Sequence, residues 1–238
     1  MKKFLKWFFI LGGILLAIIV LIFGFGIWAS YETGKRLDIG YGVSTSPRLV
    51  RLEIGDKVFA IPQNHIWSRE DWKGGKVQGV NLQALLPNFE PYTEASRHEF
   101  EKLGWNRKIN LVLKQSDAYA KNKITISRLE NYKQLSLGRD ITTKPAQFGL
   151  TRIYGITWSP GKEFFIGSLP DGGFYWVTCA PEGEYKFPHC STTLNYSDYT
   201  YIDYAFAKKY LSDWASIDKG VVNLLRQFEI KEKLGEQK

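Results

Sequence analysis

The sequence predicts an α+β domain carried on one N-terminal transmembrane helix. Three observations lead there: an uncharged apolar run at the N-terminus, paired β-prone runs separated by turn residues, and an apolar stripe at helical spacing near the C-terminus. The 238 residues are 44% hydrophobic and 15% aromatic, a composition that packs rather than stays disordered. The chain beyond the apolar run is the length of one domain. We read residues 1–29 as cytoplasmic stub and membrane span, 30–47 as linker, 48–230 as the folded domain and 231–238 as a charged tail.

From Trp7 to Ala29 the chain carries no charge (WFFILGGILLAIIVLIFGFGIWA). A spanning helix needs about 20 apolar residues. Trp7 and Trp28 bracket the run, where amphipathic rings favour the headgroup level. Lys2, Lys3 and Lys6 precede it, while Lys35 and Arg36 come only after Glu32. The positive-inside bias therefore places the N-terminus in the cytoplasm and the domain outside, in the periplasm of a bacterium. Residues 7–29 are then the contact with the bilayer of the inner membrane. A cleaved signal peptide is the competing reading. It calls for an apolar region of about 7–15 residues and a small-x-small cleavage site. Here the run is longer and Ile27-Trp28-Ala29 is a poor site, so a retained anchor is expected. Gly12, Gly13, Gly24 and Gly26 form no GxxxG pair, which gives helix dimerisation little support.

Along the domain, Leu49–Ile54 and Val58–Ile61 flank Gly55-Asp56 and read as a hairpin with a type II′ or I′ turn. Pro62 ends the second strand because it cannot donate to the ladder. Residues 63–75 form a loop containing Trp67 and Trp72. Val77–Leu86 reads as a strand closed by Pro87. Thr93–Leu103 reads as a short amphipathic helix with Thr93 available as its cap. Ile109–Leu113 is a strand, and Lys121–Leu137 is ambiguous between helix and strand. Glu163–Ile166 and Phe174–Cys179 flank the turn sequence Leu169-Pro170-Asp171-Gly172-Gly173 and predict a second hairpin. Tyr199–Phe206 is aromatic and β-prone. Finally Leu211, Trp214, Ile217, Val221, Leu224, Leu225 and Phe228 recur at steps of three and four, one face of a helix starting near Ser212. The charged tail beyond Phe228 reads as frayed. The expected architecture is an antiparallel sheet built of hairpins, with this helix across one face.

Cys179 and Cys190 are the two cysteines of the chain. They flank Pro181, Gly183 and Pro188, where the chain folds back. Outside the cytoplasm an even count points to a disulfide. A metal pair or a catalytic thiol is the alternative. A metal site needs about four ligands, and only His189 is near in sequence.

The sequence offers little for catalysis, and the chain reads as a non-enzyme more readily than as an enzyme, with no catalytic residue, metal or cofactor assigned. His65, His98 and His189 lie in separate segments without metalloenzyme spacing. There is no Gly-x-Ser-x-Gly elbow. Gly161-Lys162 lacks the glycine and the Ser or Thr of a phosphate loop. Asp198 and Asp203 could be paired carboxylates or solvated strand residues. Three of the net +8 charges come from Lys2, Lys3 and Lys6. The remainder is scattered and lacks the basic-aromatic blocks of a nucleic-acid footprint. The loop His65-Ile66-Trp67-Ser68-Arg69-Glu70-Asp71-Trp72 stands out instead. Trp67, Arg69 and Trp72 have hot-spot composition and are the candidate partner-binding residues. The alternative is a loop tucked back on the core.

Short motifs across most of the domain resemble a group of single-pass inner-membrane proteins of Gram-negative bacteria encoded near toxin or type VI secretion genes. They are Phe59-Ala60-Ile61-Pro62-Gln63-Asn64, then Leu85-Leu86-Pro87-Asn88-Phe89-Glu90-Pro91-Tyr92-Thr93. Cys179, Pro188-His189-Cys190 and the stretch from Leu211-Ser212-Asp213-Trp214 to Phe228 complete the set. The resemblance implies a periplasmic binding or immunity-like role against a secreted toxin, and it brings no catalytic residues. An envelope enzyme acting on lipid or cell wall, or a structural component of an envelope complex, would be the other expectations.

Overall fold

Alternation of apolar and polar residues gives the domain most of its strands, and a computed structural model shows how they assemble. The structure describes residues 13, 20–26, 42–116, 141–156, 159–170 and 173–231. Residues 20–26 are helical, with Val20 to Phe23 and Phe25 exposed. Most of the span read at 7–29 lies outside the described residues, as does the ambiguous 121–137 segment. Among the described residues no helix is long and apolar enough to cross a membrane. Met1–Gly42 and Val43–Lys238 are separate compact units. All the strands among the described residues belong to the second.

Among the described residues of this unit the strands form two sheets. In the first, β1 (Leu49–Ile54) pairs antiparallel with β2 (Lys57–Pro62) and parallel with the two-residue β3 (Gly75–Lys76). The second has eight antiparallel strands. They are β4 (Gly79–Leu85), β5 (Lys108–Gln115), β6 (Thr142–Pro145), β7 (Thr151–Tyr154), β8 (Glu163–Ser168), β9 (Phe174–Cys179), β10 (His189–Asn195) and β11 (Thr200–Ala207). Their order is β4-β5-β11-β10-β9-β8-β7-β6. The sheet is thus a six-strand meander whose last strand closes on β5, with Phe206 opposite Ile109 and Ile202 opposite Leu113. Helix α1 (Arg97–Glu101) is short, and helix α2 (Trp214–Phe228) is the C-terminal one.

The inner face of the large sheet is apolar because every second residue points to it. Val80, Leu82, Ile109, Leu111, Leu113, Ile202, Tyr204, Phe206, Val177 and both cysteines share one buried cluster with Val50, Leu52, Ile54, Phe59 and Ile61 of the small sheet. Trp214, Ile217, Val221, Leu224, Leu225 and Phe228 of α2 complete it, so the stripe read at helical spacing is the buried one. A smaller cluster of Ile153, Phe164 and Trp176 lies on the opposite face. Tyr204 Oη donates to the Asp218 carboxylate at 2.7 Å inside the core. Burial, the nearby Tyr175 and Asp218 hold the Tyr204 hydroxyl well above its ordinary titration range, so it stays a donor.

Four expectations change in detail. The hairpin β1–β2 belongs to its own sheet rather than to the main one. Its turn is of type II′: Gly55 alone takes a positive φ, 61°. The helix expected at Thr93–Leu103 is one turn, because Thr93 Oγ1 and Ser96 Oγ bond each other and the Thr93 and Ser96 N–H groups, closing a turn before it. The C-terminal helix starts at Trp214 rather than near Ser212: Lys208–Asp213 is a 3₁₀ segment, and Leu211 is buried from there. Beyond Phe228 the chain is not frayed at once. Ile230 N donates to Val58 O at 2.8 Å, and Glu229 takes the Tyr196 hydroxyl at 2.5 Å and Lys57 Nζ at 2.9 Å.

Gly55 marks where the two sheets meet. A Cβ there would lie 2.3 Å from the Tyr199 carbonyl oxygen and 2.6 Å from Thr200 Oγ1. Gly55→Ala therefore combines a left-handed backbone, worth about 1–2 kcal/mol, with a clash against fixed backbone. The expected result in a circular-dichroism melt is a Tm lower by roughly 3–8 °C. An unchanged Tm would mean that the two sheets separate freely at this corner.

Candidate functional site

The loop with hot-spot composition is divided by a 3₁₀ turn, Arg69–Lys73. Before the turn, Ile66 bridges to Leu82 and Trp67 N donates to Asn81 O at 2.9 Å, so the loop runs along the edge strand β4. Trp67 then lines a depression of about 340 Å³ with Tyr92, Phe100, Trp105, Lys108 and Asn110. Trp105 stacks on His189 with ring centroids 4.7 Å apart. Within the turn, Trp72 packs against the core, and its indole N–H donates to Ile66 O at 3.2 Å. Arg48 Nη2 fixes the Trp72 carbonyl at 3.1 Å. Arg69 is exposed. The three residues thus occupy three environments: a surface depression, the core margin and open solvent.

Next to the Trp67 depression the outer face of the large sheet carries polar side chains. Gln83 Nε2 donates to Asn110 Oδ1 at 3.0 Å across β4 and β5. Asp203 on β11 accepts from Thr193 Oγ1 at 2.6 Å and from Lys114 Nζ at 3.0 Å. The bond to Asp203 holds the Lys114 ammonium above its ordinary range. Asp203 is therefore committed to strand neighbours rather than poised as one of a catalytic pair.

Two of the three histidines make contacts within the fold. His65 is buried, donates from Nδ1 to Gln83 O at 3.0 Å and lies against the Phe228 ring. Burial pushes its pKa down, with the Gln83 bond opposing in part. His189 is pushed down by burial and by Lys162. His98 is exposed beside Glu99. Among the described residues no group of three or more His, Cys, Asp or Glu is placed to hold a metal. Cys179 and Cys190 stand opposite each other on β9 and β10 and are joined as a disulfide, fully buried.

A second aromatic surface lies at the far end of the large sheet, and no hydrophobic periodicity marks it in the sequence. Phe148 sits between β6 and β7 in a left-handed conformation (φ 61°, ψ 29°), with its side chain 49% exposed. Beside it Tyr154 lies under Lys144 and Arg152. The one signal in the sequence is Phe148-Gly149 shortly after Pro145, a turn-prone dipeptide.

No protein-family model matches the sequence, and no curated protein matches it significantly. The fold has a solved counterpart. An immunity protein of the Stenotrophomonas maltophilia type IV secretion system superposes with a TM-score of 0.59. The match covers 78% of this chain and 95% of that one, at 15% sequence identity, so what is shared is the fold. The immunity-like side of the resemblance read from the motifs agrees with this neighbour. The neighbour's secretion system is of type IV, whereas the motifs resemble proteins encoded near type VI genes.

Because the folded-state pKa of His65 lies below its ordinary value of 6.5, the neutral ring is the one the fold stabilises. That contribution is complete above pH about 6.5 and is lost as pH falls from there toward the folded-state value. His189 adds an effect of the same sign. Thermal melts between pH 7.5 and 5 should show Tm falling with acidity, and His65→Gln should flatten the slope. An identical slope in the variant would place the acid sensitivity elsewhere.

Proposed function

We propose that the chain is an immunity protein: it binds a toxin delivered by a secretion system and blocks it. The single observation that carries this reading is a fold shared with a secretion-system immunity protein over 95% of that protein's length. Two features support it. The buried His65 ring and the Asp203 carboxylate are held in structural contacts. Exposed aromatics also occur on ordered loops, as protein recognition requires.

We further infer that the domain works in the periplasm, held at the inner membrane by residues 7–29. The uncharged run, the lysines before it and the Cys179–Cys190 disulfide favour this placement. Whether the toxin arrives through a type IV or a type VI apparatus does not alter the binding problem.

The test is to purify the full chain in detergent and mix it with an inactivated form of the toxin encoded by the adjacent gene. A stable 1:1 complex is expected, and deleting the gene for this chain should make cells sensitive to neighbours that deliver the toxin. Absence of a complex, together with full resistance of the deletion strain, would sink the reading. Placement is tested separately by alkylating thiols in intact cells. Both cysteines should resist modification until a reductant is added, and a reporter fused at the C-terminus should be active only outside the cytoplasm.

A further inference from the structure

The Phe148 loop is built so that the fold uses its backbone and leaves its ring to solvent. Ala146 N donates to Leu150 O at 2.8 Å, and Leu150 N to Gln147 O at 3.2 Å, which closes the turn. The Phe148 carbonyl accepts the Trp214 indole N–H at 3.0 Å. Trp214 in turn is fixed by stacking on Tyr175. Gly167 gives it room, since a Cβ there would meet the indole at 2.8 Å. Any residue could supply that carbonyl, and at φ 61° glycine would do so with the least strain. A half-exposed phenylalanine in a left-handed backbone is thus a cost to the fold without a matching gain in core packing. Strain of this kind gathers at binding sites.

The ring borders a groove of about 510 Å³ whose other walls include Arg152, Tyr154, Glu163, Lys208 and Lys209. Glu163 lies between Arg152, at 3.1 Å, and Lys208. One carboxylate thus faces two cations. Lys144 over Tyr154 and Lys209 over Tyr210 add two more at the rim, against the exposed Glu182. Cations therefore exceed carboxylates around an exposed aromatic anchor. Two carboxylates in the lining would repel a continuous polyanion such as a duplex or an anionic bilayer. They leave room for one or two acidic side chains set beside an apolar one.

We propose that this groove is where the chain grips its protein partner, by taking an acidic surface segment with an apolar residue against Phe148. The proposal rests on the immunity reading above and names the surface that carries it. An aromatic anchor ordered before binding, with a cationic surround, is the form a hot spot takes.

Phe148→Gly separates binding from folding, because glycine relieves the strained backbone. The full-length variant should melt at the same temperature as the wild-type chain or above it. Its affinity for the inactivated toxin encoded next door should fall at least tenfold by calorimetry. Lys209→Glu should weaken binding and reduce its salt dependence. Lys76→Ala, exposed on β3 of the small sheet, should leave affinity within twofold. Wild-type binding that survives both Phe148→Gly and Lys209→Glu would overturn this proposal and leave the immunity reading intact. So would loss of binding in Trp67→Ala alone, or a lower Tm in Phe148→Gly. No wild-type complex at all would remove the immunity reading, and this surface with it. Phe148-dependent binding to phosphatidylglycerol vesicles or to an oligonucleotide, without toxin binding, would replace the protein partner by that ligand and overturn the proposal.

Discussion

The domain depends on how α2 is seated. A helix lying on an apolar sheet face could slide, since hydrophobic burial is not directional. One polar contact removes that freedom: the Tyr204 hydroxyl, from the middle of β11, meets the Asp218 carboxylate inside the core. A buried carboxylate without its donor would cost several kcal/mol, so other registers of the helix are excluded. The ends are set from the middle. Trp214 stacks on Tyr175 at the start of the helix, and Phe228 lies against His65 at its end. Gly220 lets the Phe89 ring approach the helix backbone where a Cβ would stand 2.2 Å from it. The small sheet then has a fixed surface to cover, and Ile230 returns to pair with Val58.

Much of this was legible as sequence, where periodicity and turn chemistry agree. The β1–β2 and β8–β9 hairpins, the strands β4, β5 and β11, and the stripe of α2 are all readable. The strands without a sequence signature lack a period-two signal for physical reasons. Of the four residues of β6, Thr142–Pro145, each is exposed, so nothing selects an apolar face. In β10, Thr192 occupies a core position between Cys190 and Leu194, and the alternation reads as polar. Leu211 has the spacing of the α2 stripe yet belongs to a 3₁₀ turn, because a step of three suits both kinds of helix. That the first hairpin stands in a separate sheet depends on contacts far along the chain, such as Thr200 Oγ1 with Ile54 O at 3.1 Å.

The surface was less legible than the fold. Trp67 and Trp72 are five residues apart and look equivalent in composition. Trp67 precedes the 3₁₀ turn and lines a surface depression, whereas Trp72 lies within it and packs at the margin of the core. Composition gives the tendency of a tryptophan to bury its body and satisfy its N–H, but not the direction in which it finds a partner. Phe148 is hidden for the opposite reason. A phenylalanine in a short polar stretch gives no pattern, and its left-handed backbone is tied to a hydrogen bond from an indole 66 positions away.

That bond joins the two halves of the molecule's physical logic. Trp214 spends its ring on the core and its N–H on the loop that displays Phe148, so the order of the α2 seat is passed to the surface. Binding ordinarily costs conformational entropy for each side chain and loop that must be immobilised. Here the loop is closed by its own backbone bonds and held from beneath before any partner arrives. The strain of the left-handed phenylalanine is met within folding, where a large core offsets it. Affinity gained in this way needs no extra buried area. It needs only that the core stay in register, and the buried Tyr204–Asp218 contact secures that register.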